Sequence, residues 1–212
     1  MPLVAKDSGD FISVPPGMHL ARCYRIIDQG TQKTEFNGEE KYQRKVMIQF
    51  EIHSEDDAGK PLVTSDGKPL SIAKTFTLTL SENSNLRKDL QMWRGREFTA
   101  QELRGFELKN VLGAWAMLSV IHKESGGKVY SNIAAINPVP RAMKEAGLPK
   151  GSNELKMFDI EEPDMALFDT FSENLKNKIT SSPEWREREG TSEEKPGGAS
   201  FDTNGLDDDI PF

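Results

Sequence analysis

The sequence predicts a mainly β domain: a five-stranded sheet curled into a small barrel, with one helix between its third and fourth strands, followed by a C-terminal helix and an acidic tail. Three features predict it. Short segments rich in β-branched and aromatic residues alternate apolar and polar positions with period two. A single amphipathic helical stretch separates the third of these segments from the fourth, and composition and charge change abruptly near residue 150.

The first strand is GMHLARCYRIID, Gly17 to Asp28, set off by the breaker Pro15-Pro16. A polar connection containing Gly30 and Asn37-Gly38 leads to the second, KYQRKVMIQFEIH. There Val46, Ile48, Phe50 and Ile52 share one face, and Met47, Gln49, Glu51 and His53 take the other. The tetrapeptide GKPL then occurs twice, at Gly59 to Leu62 and Gly67 to Leu70, and reads as two hairpin turns. In the third strand, IAKTFTLTL, alternation places Phe76, Leu78 and Leu80 inward and Thr75, Thr77 and Thr79 outward. The helix SENSNLRKDLQMWRG is capped by Ser81, Asn83 or Ser84 and stopped near Gly95, with Leu86, Leu90 and Trp93 as its buried stripe. Thr99 and Glu102 make a capping-box pattern. The fourth and fifth strands, GAWAMLSVIHK and KVYSNIAAINP, join through the turn Glu124-Ser125-Gly126-Gly127, and Pro138 and Pro140 end the body. Strand, strand, strand, helix, strand, strand is the layout of the OB-fold, a five-stranded, partly open barrel.

This body is expected to occupy residues 1–140. A helical extension follows over 141–180, where Met165, Leu167, Phe168, Phe171, Leu175 and Ile179 fall close to one helical stripe of DMALFDTFSENLKNKI. Residues 181–212 have the Ser, Pro, Glu and Gly composition of a disordered acidic tail, with Trp185 as an apolar residue the composition leaves unexplained. Net charge divides along the same line. Residues 1–150 hold 21 Lys+Arg against 18 Asp+Glu, a net +3, whereas residues 151–212 hold 6 against 16, a net −10. A mildly basic body therefore carries a strongly acidic appendage.

Mean hydropathy is −0.59, and no apolar run reaches the ~18 residues of a membrane span. The N-terminus has no secretory pattern, so a soluble, cytoplasmic chain without a membrane partner is expected. One cysteine, Cys23, permits no internal disulfide, and His19, His53 and His122 lie apart without partners at metal-ligand spacing, so no metal or other cofactor is expected. A phosphate-cradling Gly loop and a nucleophile elbow are both missing, and Glu39-Glu40 and Asp56-Asp57 read as solvated loop acids. The expectation is a protein that is not an enzyme.

The sequence finishes DDDIPF: Asp207, Asp208, Asp209, Ile210, Pro211 and Phe212. An acidic solubilising tail would account for the aspartates but not for Ile210 and Phe212. The Phe ring with its α-carboxylate suits an apolar pocket rimmed by Arg or Lys, while the three aspartates suit further basic groups. Burying the ring stabilises by about 1.5–3 kcal/mol, so one tip should bind weakly, around micromolar, and several tips on one strand would add avidity. On a tail with a reach on the order of 30 Å, the hexapeptide acts as a tethered bait.

This ending, after an acidic linker and an OB-like body, resembles the single-stranded DNA-binding proteins of bacteria and phages. The last six residues match the acidic tip of the bacterial members, and the stretch from GMHLARCYRIID to KTFTLTLSENSNLRKDL is similar to a group of phage replication-associated proteins. The resemblance implies a sequence-indifferent protein that coats single-stranded DNA in replication, recombination or repair, in a bacterium or phage-infected cell. Its tip would recruit partner enzymes, and it could form a homo-oligomer.

Strand binding needs cations along the phosphates and flat side chains under the bases, each stack worth about 1–3 kcal/mol. The residues suited to it are Arg22, Tyr24 and Arg25 on the first strand; Lys41, Tyr42, Arg44 and Lys45 on the second; Lys74 on the third; and Trp115, Lys123, Lys128 and Tyr130 on the last hairpin. Each is equally readable as solvated charge or core aromatic. Alternation puts Tyr42 and Arg44 on the face of Val46 and Ile48 unless a bulge intervenes. Trp93 belongs to the helical stripe, while Trp115 fits either the core or a groove. The competing reading is a protein-interaction module that recruits or diverts replication enzymes through its tip without binding DNA. A further expectation is autoinhibition, the acidic tail occupying the basic groove when DNA is absent.

Overall fold

A computed structural model of the chain describes residues 13–36, 38–188 and 190. The fold is mainly β. Five strands follow the predicted order: β1 (Gly17–Phe36), β2 (Glu39–Ile52), β3 (Ser71–Thr77), β4 (Trp115–Ser125) and β5 (Lys128–Asn137). They lie side by side as β3-β2-β1-β4-β5, all antiparallel. The ladders leave the sheet open between β3 and β5, although the two come within 8 Å, Cα to Cα.

Helix α1 (Asn85–Arg94) contacts both β3 and β5 and so lies over this gap. Ser84 caps it by accepting from the Arg87 N–H, Gly95 stops it, and Leu86, Leu90 and Trp93 are buried, as their spacing predicts. Their side chains join Ile26, Val46, Ile48, Phe50, Ile52, Phe76, Leu118 and Ile136 in the main core, where the rings of Phe50 and Trp93 meet at 5.4 Å. Helix α2 (Ala100–Arg104) carries the Thr99/Glu102 capping box, with both reciprocal bonds formed. A 3₁₀ turn at Leu108–Val111 leads into β4.

Two strands depart from expectation. β1 does not stop at Asp28 but continues to Phe36, paired with β2 in a long ribbon, with register shifts between Cys23 and Arg25 and between Asp28 and Gly30. β3 ends at Thr77, where the Thr79 N–H turns back onto the Thr77 carbonyl at 2.8 Å. Alternation fails beyond that point, and Leu78 is exposed rather than inward. The Gly126-Gly127 turn behaves as the sequence suggests, since both residues take positive φ and only glycine does so freely.

The C-terminal part differs most from prediction. The extension is not purely helical. After α3 (Arg141–Ala146), the short strand β6 (Lys156–Phe158) pairs in parallel with Arg25–Ile27 of β1, making a sixth strand. The predicted single helix over 164–179 is two, α4 (Met165–Asp169) and α5 (Glu173–Thr180). The Thr170 hydroxyl bonds back to the Leu167 carbonyl and Ser172 caps α5, so side chains compete with the helix backbone at the break. Residues 183–188, assigned by composition to the disordered tail, form α6 (Pro183–Arg188). The reason is Trp185, which is 2% exposed. Its ring stacks on Phe168 at 4.8 Å within a second core of Ile27, Phe158, Ile160, Phe168, Phe171 and Ile179. With Leu167, seven other buried residues make up this core and give the short helix the packing that its length alone cannot supply. Gly30, at φ +69°, lies where a Cβ would overlap Ser182, so the ribbon and the turn between α5 and α6 approach backbone to side chain. The acidic tip Asp207–Phe212 lies outside the described residues.

Candidate nucleic-acid interface

Residues 152–185 cover the outer side of β1 and β2, and this decides the fate of three predicted strand-binding residues, Arg22, Arg25 and Arg44. At the centre is Glu51, 0% exposed on the outer face of β2. Its carboxylate lies 2.7 Å from Arg22 Nε and 3.1 Å from His53 Nε2. It also accepts from the Ser152 N–H (3.1 Å), the Asn153 N–H (2.7 Å) and Asn153 Nδ2 (2.6 Å). Burial alone would raise this carboxyl. The Asn153 and His53 bonds and the Arg22 charge more than reverse that and hold it below its ordinary value. Arg22 also donates to the Asn153 carbonyl and packs where a Cβ on Gly151 would overlap it. It is a clasp for the C-terminal segment, not a free cation.

Other predicted residues are likewise engaged within the fold. Tyr24 is buried, and the half-buried Arg25 lies between the Tyr24 and Phe171 rings at 5.4 and 5.9 Å. Arg44 is paired with Asp28 at 2.6 Å and with Glu161 at 3.5 Å, and the Asp28 bond raises its already high pKa. Lys45 donates to Gln43 and Thr77, and Lys74, among the inward residues of β3, pairs with Asp89 at 2.9 Å. Lys41 is half-buried on the β1–β2 ribbon, next to the exposed Tyr42.

The last hairpin behaves differently. Ala116, Leu118 and Val120 of β4 are buried, so Trp115, Met117, Ser119, Ile121 and Lys123 alternate onto the outer face. Directly opposite residues of an antiparallel pair share a face. Tyr130 stands opposite Lys123, Lys128 opposite Ser125, and Met18 of β1 opposite Ser119. Four predicted residues, Trp115, Lys123, Lys128 and Tyr130, are therefore brought onto one outer face. Ile121 and Met18, both exposed, complete it with apolar surface. The sequence reading passed over these two, and the alternation of β4 was the signal that would have found Ile121. Trp115 is half-buried and meets His53 edge-on at 4.9 Å, whereas Trp93 and Trp185 are buried. From Trp115 to Lys123 the face runs about 26 Å at the usual strand rise.

Cys23, His19 and His122 serve the fold. Burial pushes the Cys23 thiol up to about 12, which leaves it protonated and unreactive. His19 and His122 donate to the carbonyls of Pro15 (2.8 Å) and Val14 (2.9 Å). Among the described residues no group of three His, Cys, Asp or Glu converges as a metal site, and no helix is long and apolar enough to cross a membrane. No protein-family model and no curated protein matches this chain.

Proposed function

We propose that the chain binds single-stranded nucleic acid without reading sequence, on an OB-fold body, and that the segment Asp207–Phe212 recruits protein partners of DNA replication, recombination or repair. The strand order β3-β2-β1-β4-β5, with a helix over the gap between β3 and β5, supports the OB-fold assignment. The observation that carries the binding reading is the outer face of β4 and β5. There Trp115 and Tyr130 offer flat rings, and Lys123 and Lys128 offer exposed cations, along one line. Stacking on rings and ionic contact with phosphates together give affinity indifferent to base identity.

Because Trp93 and Trp185 are buried, a strand on this face should quench the emission of Trp115 alone. Titration with oligo(dT) should lower the fluorescence of the full chain, and Trp115→Phe should abolish the change. Unaltered emission in both proteins would reject the assignment. The rival, a protein-interaction module that does not touch DNA, is favoured by one observation: the C-terminal segment covers the outer side of β1 and β2, where Arg22, Tyr24 and Arg25 are already engaged. Tip-dependent capture of replication enzymes, with no oligo(dT) binding at low salt, would establish the rival.

A further inference from the structure

The outer face of β4 leads at its Trp115 end into a cleft of about 450 Å³, bounded by the end of α1, by α2 and by α3. Trp115, Phe106, Arg94, Arg96, Glu102 and Lys144 line it. Its volume falls within the ~300–1,000 Å³ that holds small organic ligands. Three cations face one carboxylate, so the lining carries an excess of positive charge. Glu102 is shared between Arg94 and Arg96, with Arg96 bonds of 2.7 and 2.9 Å. Arg94 is stacked between the Phe98 and Phe106 rings at 4.5 and 4.8 Å, and its Nη1 is buried without a hydrogen-bond partner among the described residues. Lys144 is exposed. Arg94 is therefore a wall residue of the cleft, and Arg96, with its side chain 54% exposed, and Lys144 are the cations that a ligand can reach.

We infer that this cleft takes one nucleotide unit of the bound strand, its base against Trp115 and Phe106 and its phosphate on Arg96 and Lys144. The inference rests on the nucleic-acid reading above and extends it, because Trp115 belongs to both surfaces and makes the cleft the far end of the hairpin track. A peptide carboxylate would satisfy the same cations, but continuity with the aromatic face favours the nucleotide.

The test uses the full chain, labelled oligo(dT), and the variants Lys144→Glu and Arg96→Ala/Lys144→Ala, with Lys123→Ala/Lys128→Ala as the hairpin comparison. Lys144 is exposed on a six-residue helix, so Lys144→Glu keeps the fold even if loss of Arg96 loosens α2. Both cleft variants should bind about tenfold more weakly, and loss of one phosphate contact should make the log–log salt dependence shallower by about 0.7. If the hairpin variant weakens while both cleft variants bind like the parent, the cleft inference is wrong and the hairpin reading stands. If the parent itself shows no binding, the nucleic-acid reading fails first. Cleft variants that lose affinity for a synthetic Asp-Asp-Asp-Ile-Pro-Phe peptide but not for oligo(dT) would overturn the inference in favour of a peptide site.

Discussion

Replacing Glu51 with Ala tests the clasp that holds the C-terminal segment on the sheet. The change leaves the guanidinium of Arg22, only 14% exposed, without its carboxylate, and strips Ser152 and Asn153 of their acceptor. Removing one partner of a buried ion pair costs about 3–5 kcal/mol, since an uncompensated charge stays behind. For a chain of this size each kcal/mol moves the midpoint by about 2–4 °C, so Tm should fall by roughly 6–20 °C. Thermal unfolding followed by circular dichroism reads this directly. Trypsin should also cut sooner after Lys150 and Lys156, which flank the released residues. A loss below about 1 kcal/mol, with unchanged proteolysis, would mean that the Glu51 network is not what secures the segment.

Three further outcomes are expected, two from the same packing and one from the charge of the tail. Glu51 is held below its ordinary pKa, as is Glu184, which burial would raise but which the bonds from Thr31 lower further. Their contribution is complete above the unfolded carboxylate value of about 4.3 and is lost as pH falls through the lowered folded values; Glu51→Gln should therefore lose less stability than the parent between pH 5 and acid unfolding, and parallel pH curves would contradict this. Trp185→Ala should cost about 3–5 kcal/mol by opening a cavity among Phe158, Phe168 and Ile179, and Trp185→Phe clearly less, because the indole Nε1 has no partner among the described residues; equal losses by chemical denaturation would contradict the packing argument. Deleting residues 207–212 should tighten oligo(dT) binding most at low salt if the acidic tail competes for the basic face, and unchanged affinity at every salt concentration would remove that idea.

The sequence made β2 and α1 legible because each obeys a local rule. Period two marked Val46, Ile48, Phe50 and Ile52, and period 3.6 marked Leu86, Leu90 and Trp93, all of them buried. The second core was not legible for the opposite reason. Ile27, Phe158 and Trp185 come from three separate elements and Phe171 from the turn between α4 and α5, and only tertiary contact gathers them. Composition therefore placed Trp185 in a tail, although its burial makes 183–188 a helix. The candidate site divides in the same way. Arg22, Arg44 and Lys74 have the right chemistry for phosphates, but carboxylates distant in sequence or on another element engage them: Glu51, Asp28 and Asp89. On the last hairpin a single two-residue period sets the face, and it gathers Trp115, Lys123, Lys128 and Tyr130 on one side.

The most direct measurement is a salt-dependent titration of labelled oligo(dT) with the full chain and with Lys123→Ala/Lys128→Ala/Tyr130→Ala. If the outer face of β4 and β5 carries the strand, log K for the parent should fall linearly with log salt by about 0.7 per phosphate contact. The triple variant should then bind at least tenfold more weakly, with a slope shallower by about 1.4. Parent and variant binding with the same affinity and slope, or a parent titration that stays flat, would contradict the account.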